Sequence, residues 1–251
     1  MTDLITFSET DNPVIDVVFI HGLAGDPIHS WKSSGGVWPE WVASDNPRAR
    51  VLSVRYPFGK SFFNLNRRQL SIHDHALGIL ELLKVSDFGS RRIVIVAHSL
   101  GGIVAKEILK VSAQSSDIRT RKISRRCAGL VLLATPSSLS GFNKVFGAFN
   151  YLPFFRSPLA SESTGELDAI HSWYRDFAAK NRVTTLAFAS ATDRIDPHFD
   201  SSVPDAVVVP LDVSHVEISK PNSKNSLVVI SVQDLITRVL RLASKSHGRL
   251  R

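Results

Sequence analysis

The chain has 251 residues, 43% hydrophobic and 21% charged, the balance of an ordinary globular protein, with no internal repeat, low-complexity tract or long Pro/Gly/Ser linker. Its one cysteine, Cys127, excludes an intrachain disulfide, and no apolar run approaches the roughly 20 residues that cross a bilayer, so a soluble, cytoplasmic protein is expected. The net charge of +7, from 30 Lys+Arg against 23 Asp+Glu, would suit anionic lipid or nucleic acid, but no aromatic side chains interleave with the basic clusters, and nucleic acid is not expected as a partner.

Met1 to Asp16 is mostly polar and lacks the basic start and apolar run of a signal peptide. Val14 to Ile20 is a nearly continuous apolar run rich in β-branched residues, the pattern of a strand buried on both faces. Runs of the same kind recur at Val51 to Val54, Arg92 to Ala97, Cys127 to Leu133, Val183 to Ala189 and Ala206 to Leu211. Between most of them the spacing turns helical. Leu70 to Leu83 carries Leu77, Leu80 and Leu83 on one side, and Ile103 to Val111 follows the third run. Ser163 to Lys180 opens with Ser163 and Glu166 at capping-box spacing, and Ser226 to Leu242 closes the chain. Strands alternating with helices predict an α/β fold, a mostly parallel central sheet with helices on both faces, in one domain over 1–251. Sites in such sheets lie beyond the carboxyl ends of the strands.

That rule sorts the candidate chemistry. The run Arg92 to Ala97 ends in His98-Ser99-Leu100-Gly101-Gly102, and a helix follows. This is the strand, sharp turn and helix of a nucleophile elbow, with Ser99 at the apex and small residues, Ala97 and Gly101, two positions either side. The first strand ends in His21-Gly22-Leu23-Ala24-Gly25. An oxyanion hole needs two backbone N–H donors, and Leu100 and Leu23 are placed to supply them. Gly22 and Gly25 are expected to give that loop its backbone freedom, and His21 to be a structural residue.

Enzymes with such an elbow order their triad Ser, acid, His. His215, just beyond the run Ala206 to Leu211, is the candidate base. The acid should follow Val183 to Ala189, where Asp193 is nearest the strand end and Asp200 is its rival; its role is to hold the His215 tautomer. Residues 137–165, after the strand Cys127 to Leu133, contain Phe142, Phe146 and Phe149 at helical spacing, followed by Tyr151, Phe154 and Phe155. They form either a lid lining an acyl pocket or a helix packed on the core. Phe62 and Phe63 are candidates for a second wall.

Other features carry less. Arg119, Arg121, Lys122, Arg125 and Arg126 lead into the amino end of a strand, away from Ser99, and Arg238, Arg241, Lys245, Arg249 and Arg251 mark the tail. Both are solvated faces or a peripheral contact with anionic membrane. His73-Asp74-His75 does not share one helix face, so no metal site is expected. Cys127 is expected to be a small buried residue opening its strand.

The motifs Ile20-His21-Gly22-Leu23 and His98-Ser99-Leu100-Gly101-Gly102 resemble those of the α/β-hydrolase superfamily. More narrowly, Phe19 to Gly25, Trp38-Pro39-Glu40-Trp41 and Asp212 to Pro221 resemble the lipase-like branch that includes the serine active site-containing proteins and GPI inositol-deacylase-like domains. The resemblance implies the α/β-hydrolase fold and carboxylic- or lipid-ester hydrolysis with no cofactor. For the acid it points both ways. Asp193-Arg194-Ile195-Asp196 matches the stretch of many bacterial lipases, and Asp200 before Ser201-Ser202 matches the serine active site-containing branch. A serine esterase or lipase acting on a small-molecule or lipid ester is the expected function. A membrane-surface phospholipase or acyl-remodelling enzyme, and a catalytically silent scaffold, are the alternatives.

Overall fold

All six residues of Ile15–Ile20 are buried, and a strand can bury successive side chains only inside a sheet covered on both faces. The computed structural model describes residues 2–8, 10–57, 70–136, 164–191 and 208–247. In chain order the strands and helices begin with β1 (Asp3–Thr6), β2 (Ile15–Ile20), β3 (Lys32–Ser33), β4 (Gly36–Val37), α1 (Trp38–Asp45) and β5 (Ala49–Arg55). They continue with α2 (Ile72–Val85), β6 (Arg92–His98), α3 (Leu100–Gln114), α4 (Ile118–Arg126) and β7 (Cys127–Leu133). α5 (Thr164–Asn181), β8 (Thr184–Ser190), β9 (Val208–Leu211) and α6 (Leu227–His247) complete the order.

Seven strands form one sheet in the order β1-β5-β2-β6-β7-β8-β9. β1 runs antiparallel to β5, and the other neighbours are parallel. Side-chain alternation then divides the core. Val18, Ile20, Ile95 and Ala97 join the cluster that holds Ile79, Ile103 and Tyr174 from α2, α3 and α5. Val17, Phe19, Val94 and Val96 join the cluster of Trp38 and Val42 from α1 and Val232 and Ile236 from α6. Each fully buried aliphatic side chain is worth about 1.5–3 kcal/mol relative to exposure. The mostly parallel sheet with helices on both faces is therefore as expected.

One local reading is corrected, and two elements are added to those expected. Leu77 is 43% exposed while Leu80 and Leu83 are buried. The buried stripe of α2 is Ile72, Ala76, Ile79, Leu80 and Leu83, and Leu77 sits one step of about 100° beyond Ala76. The polar start contains β1, whose Leu4 packs against the core. The basic stretch before β7 is a helix, α4, capped by Asp117 and anchored by buried Thr120, Ile123 and Ser124. Its cations lie at the amino end of β7, the edge opposite Ser99. That edge is closed by buried Asp16, which accepts from Arg50 Nε at 2.7 Å and Arg91 Nε at 3.2 Å. Cys127 is buried at the start of β7, and burial pushes its thiol up to about 12. Among the described residues no helix is long and apolar enough to cross a membrane. Asp193, Asp200, Phe62, Phe63, Ser163 and all but the last two residues of 137–165 lie outside the described residues.

Candidate active site

The parallel register aligns Ile20, Ala97 and Leu132 across β2, β6 and β7, so the loops that follow these strands emerge at one edge. The β6–α3 turn leaves Ser99 at φ 54° and ψ −129°, a conformation that costs a non-glycine residue about 1–3 kcal/mol. The surroundings enforce it. Ser99 N–H donates to Leu133 O of β7 at 2.8 Å, and Gly102 N–H donates to Ser99 O at 2.9 Å. A Cβ on Gly101 would lie 2.5 Å from the carbonyl oxygens of both Ile20 and His21, and one on Gly102 would lie 2.1 Å from Thr135 Oγ1. The start of α3 thus packs against the end of β2 with no room for a methyl group.

His215 lies four residues beyond Leu211, the end of β9, and is buried. Its Nε2 stands 2.9 Å from Ser99 Oγ across 116 residues of chain. The base-bearing loop is pinned from several sides. His98 Nε2–H donates to His215 O at 2.8 Å, and Ser190 Oγ donates to Val213 O at 2.6 Å. Ser214 N–H donates to Glu217 Oε2 at 2.9 Å, and bonds to Ser214 hold the Glu217 carboxyl below its ordinary range. Ser219 Oγ donates to Ser30 O at 3.0 Å. Burial, helped by the neighbouring His215, drives His98 down to about 3, so its ring is neutral in the working range of the protein.

The β2 loop supplies the facing wall. A cleft of about 320 Å³ is lined by Leu23, Asp26, Ser99, His215, Val216 and Lys220, among others. The reason for the loop glycines differs from the expected one. Neither Gly22 nor Gly25 has positive φ; Ala24 does, at 53°. They are needed for close approach. A Cβ on Gly22 would lie 2.9 Å from Ser99 Cβ, and one on Gly25 would lie 2.6 Å from His21 Nδ1. His21 is buried, donates from Nδ1 to Gly22 O at 2.8 Å and stacks on Tyr56 with ring centroids 4.5 Å apart. Tyr56 OH donates to His21 O, and burial raises the phenol above its ordinary range. His21 is therefore a buttress under the loop, as expected.

Ser99 and His215 are thus brought together, with Leu23 in the same cleft and Leu100 at the first position of α3, where N–H groups have no intrahelical acceptor. His73, Asp74 and His75 diverge: His73 contacts Glu107 at 2.9 Å, Asp74 completes the capping box of α2 with Ser71, and His75 packs edge-on against Tyr56. Sequence reasoning gave no role to His98 or Lys220. Nothing in the local sequence signals that the side chain before Ser99 bonds to a loop 117 residues away.

A family model described as "Alpha/beta hydrolase family" matches residues 17–246. Among curated proteins the chain is similar to Protein SERAC1 of Danio rerio, 25% identical over 254 residues, and of Bos taurus, 23% identical over 253 residues. Each alignment covers 87% of this chain and 38% of the relative, so the chain spans well under half the length of these curated relatives. Among solved structures it is similar to a sugar hydrolase (YeeB) from Lactococcus lactis, with a TM-score of 0.58 at 11% identity over 97% of this chain and 96% of that one. At that identity the likeness concerns the fold alone.

Proposed function

Since the chain belongs to the alpha/beta hydrolase family, we propose that it is a carboxylic-ester hydrolase with Ser99 as nucleophile, His215 as general base and Asp193 as the acid that orients it. One observation carries the reading: a serine held at φ 54° on a strand–helix turn, with a histidine nitrogen 2.9 Å from its hydroxyl oxygen. Nucleophile–base contact at hydrogen-bond distance is the geometric requirement for activating a serine.

In the first half-reaction His215 Nε2 takes the Ser99 hydroxyl proton as Oγ bonds to the ester carbonyl carbon. The carbonyl oxygen becomes an oxyanion, accepting from the backbone N–H groups of Leu23 and Leu100. One such donor is worth about 2.7–4 kcal/mol of transition-state stabilisation. The tetrahedral species collapses, the bond to the alcohol oxygen breaks, and His215 gives that oxygen its proton. Water then attacks the acyl-serine with His215 again as base, releasing the carboxylic acid and restoring Ser99. The strain at Ser99 serves this sequence by holding Oγ toward the cleft.

The test is hydrolysis of p-nitrophenyl esters from acetyl to palmitoyl by wild type and Ser99→Ala. The expected result is turnover that the substitution abolishes, with the chain-length optimum separating esterase from lipase. Equal turnover by both proteins would remove Ser99 from the chemistry.

A further inference from the structure

The cleft beside Ser99 holds two charges that acyl transfer leaves unused, the Asp26 carboxylate and the Lys220 ammonium. Its ionisable lining is Asp26, His29, His98, His215 and Lys220. His98 is buried and its Nε2–H is committed to His215 O, while His215 faces Ser99 Oγ. The Asp26 carboxylate is engaged within its own turn: Oδ1 accepts from the N–H groups of Ile28 and His29, both at 2.9 Å, and contacts His29 Nδ1 at 3.0 Å. Lys220 is different. It is half-buried, lines the cleft and makes no ion pair among the described residues. It lines the same cleft as His98, whose depressed pKa, set first by burial, it lowers slightly further.

The backbone under Lys220 is fixed. Lys220 N–H donates to Glu217 O at 2.8 Å, Ser219 Oγ donates to Ser30 O at 3.0 Å, and Ser33 Oγ donates to Pro221 O at 2.7 Å. An ammonium at the cleft wall without an ion-pair partner among the described residues can give a ligand anion a charge-assisted hydrogen bond. The Asp26 carboxylate shares the cleft but is engaged in its own turn, which leaves the Lys220 cation available to attract an anion. Lys220 follows His215 by five residues in the same loop, and His215 must face the leaving oxygen in order to return its proton.

We infer that Lys220 is an anion-recognition residue of this site, and that the ester it acts on carries a phosphate or carboxylate on the leaving alcohol. This role presupposes acyl transfer at Ser99. The electrostatic contact is made to a group that leaves with the alcohol, so it speeds acylation and not the hydrolysis of the acyl-serine.

The experiment compares kcat/KM for hexanoyl-glycerol phosphate against hexanoyl-glycerol, and for the hexanoyl ester of p-hydroxybenzoate against that of its methyl ester. Wild type, Lys220→Met and Lys220→Arg are measured, each read as its own anionic-to-neutral ratio. Wild type should favour at least one anionic ester by about tenfold over the ratio of Lys220→Met, the size of one charge-assisted hydrogen bond. Lys220→Arg should keep most of that preference, and raising the salt concentration should shrink it. Labelling of Ser99 by a neutral fluorophosphonate runs in parallel. If wild type labels but its ratios equal those of Lys220→Met, the anion role is overturned and the serine chemistry stands. If wild type neither labels nor hydrolyses any of the esters, both fall.

Discussion

Replacing Gly22 with alanine should disable the site from a residue that takes no part in the chemistry. The added methyl carbon would lie 2.9 Å from Ser99 Cβ, 3.1 Å from His98 O and 3.4 Å from Ser99 Oγ. Non-bonded carbons settle at about 3.5–4.0 Å, so either the β2 loop or the elbow must retreat by ~0.6–1 Å. Neither has an easy path. Ser99 is tied to Leu133 and Gly102, and Gly101 sits against the end of β2. Overpacking of this kind costs about 1–3 kcal/mol of stability. If the elbow yields, the 2.9 Å contact between Ser99 Oγ and His215 Nε2 lengthens beyond hydrogen-bond range. A misplacement of about 1 Å costs on the order of 100-fold in rate. The assay is kcat/KM on p-nitrophenyl butyrate with the rate of fluorophosphonate labelling, beside urea denaturation. Gly78→Ala is the counterpart: nothing lies within 4 Å of its Cβ on the exposed side of α2, so it should gain about 0.5–1 kcal/mol and leave activity alone. Unchanged activity and stability in Gly22→Ala would refute the reasoning.

Two further predictions follow from the triad and the buried rings. Asp193→Asn should cut turnover far more than Asp200→Asn, by up to about 10⁴-fold if Asp193 holds the His215 tautomer; the reverse order would move the acid to Asp200. Burial holds His98 at about 3 and His75 at about 4. The native protein therefore binds fewer protons than the unfolded chain between about pH 4 and 6.5, and stability rises with pH across that window. Each histidine should remove about 2 kcal/mol between pH 7 and pH 5, measured by urea denaturation at both values. His98→Gln should flatten the slope by about one proton, and a wild-type stability that does not fall between pH 7 and 5 would contradict the neutral, buried state of both rings.

The legible parts of the chain were those whose physics is local. A strand buried on both faces announces itself as an apolar, β-branched run, as in Ile15–Ile20 and in the Ile93 to Val96 stretch of Arg92–His98. The elbow was legible because a strained serine between strand and helix demands small residues at fixed offsets. α4 was missed because its five cations masked a narrow buried stripe, and β1 because an edge strand buries too little to leave a strong pattern. Leu77 was misplaced because spacing alone leaves the centre of an apolar stripe undefined until the helix is docked.

By itself, then, the sequence determined the alternation of strand and helix, the order in which the chemistry is laid out along the chain, and the identities of Ser99 and His215 as candidates. Only the tertiary structure decided which side chains meet. The 2.9 Å contact between Ser99 and His215, the bond from His98 to His215 O, the closeness of Gly22 to Ser99 and the place of Lys220 in the cleft beside Ser99 all join segments far apart in sequence. The reason is physical. Periodicity and turn chemistry act over a few residues and leave a trace in the local sequence, whereas a contact across more than 100 residues is set by parallel register and helix docking, which no local pattern records.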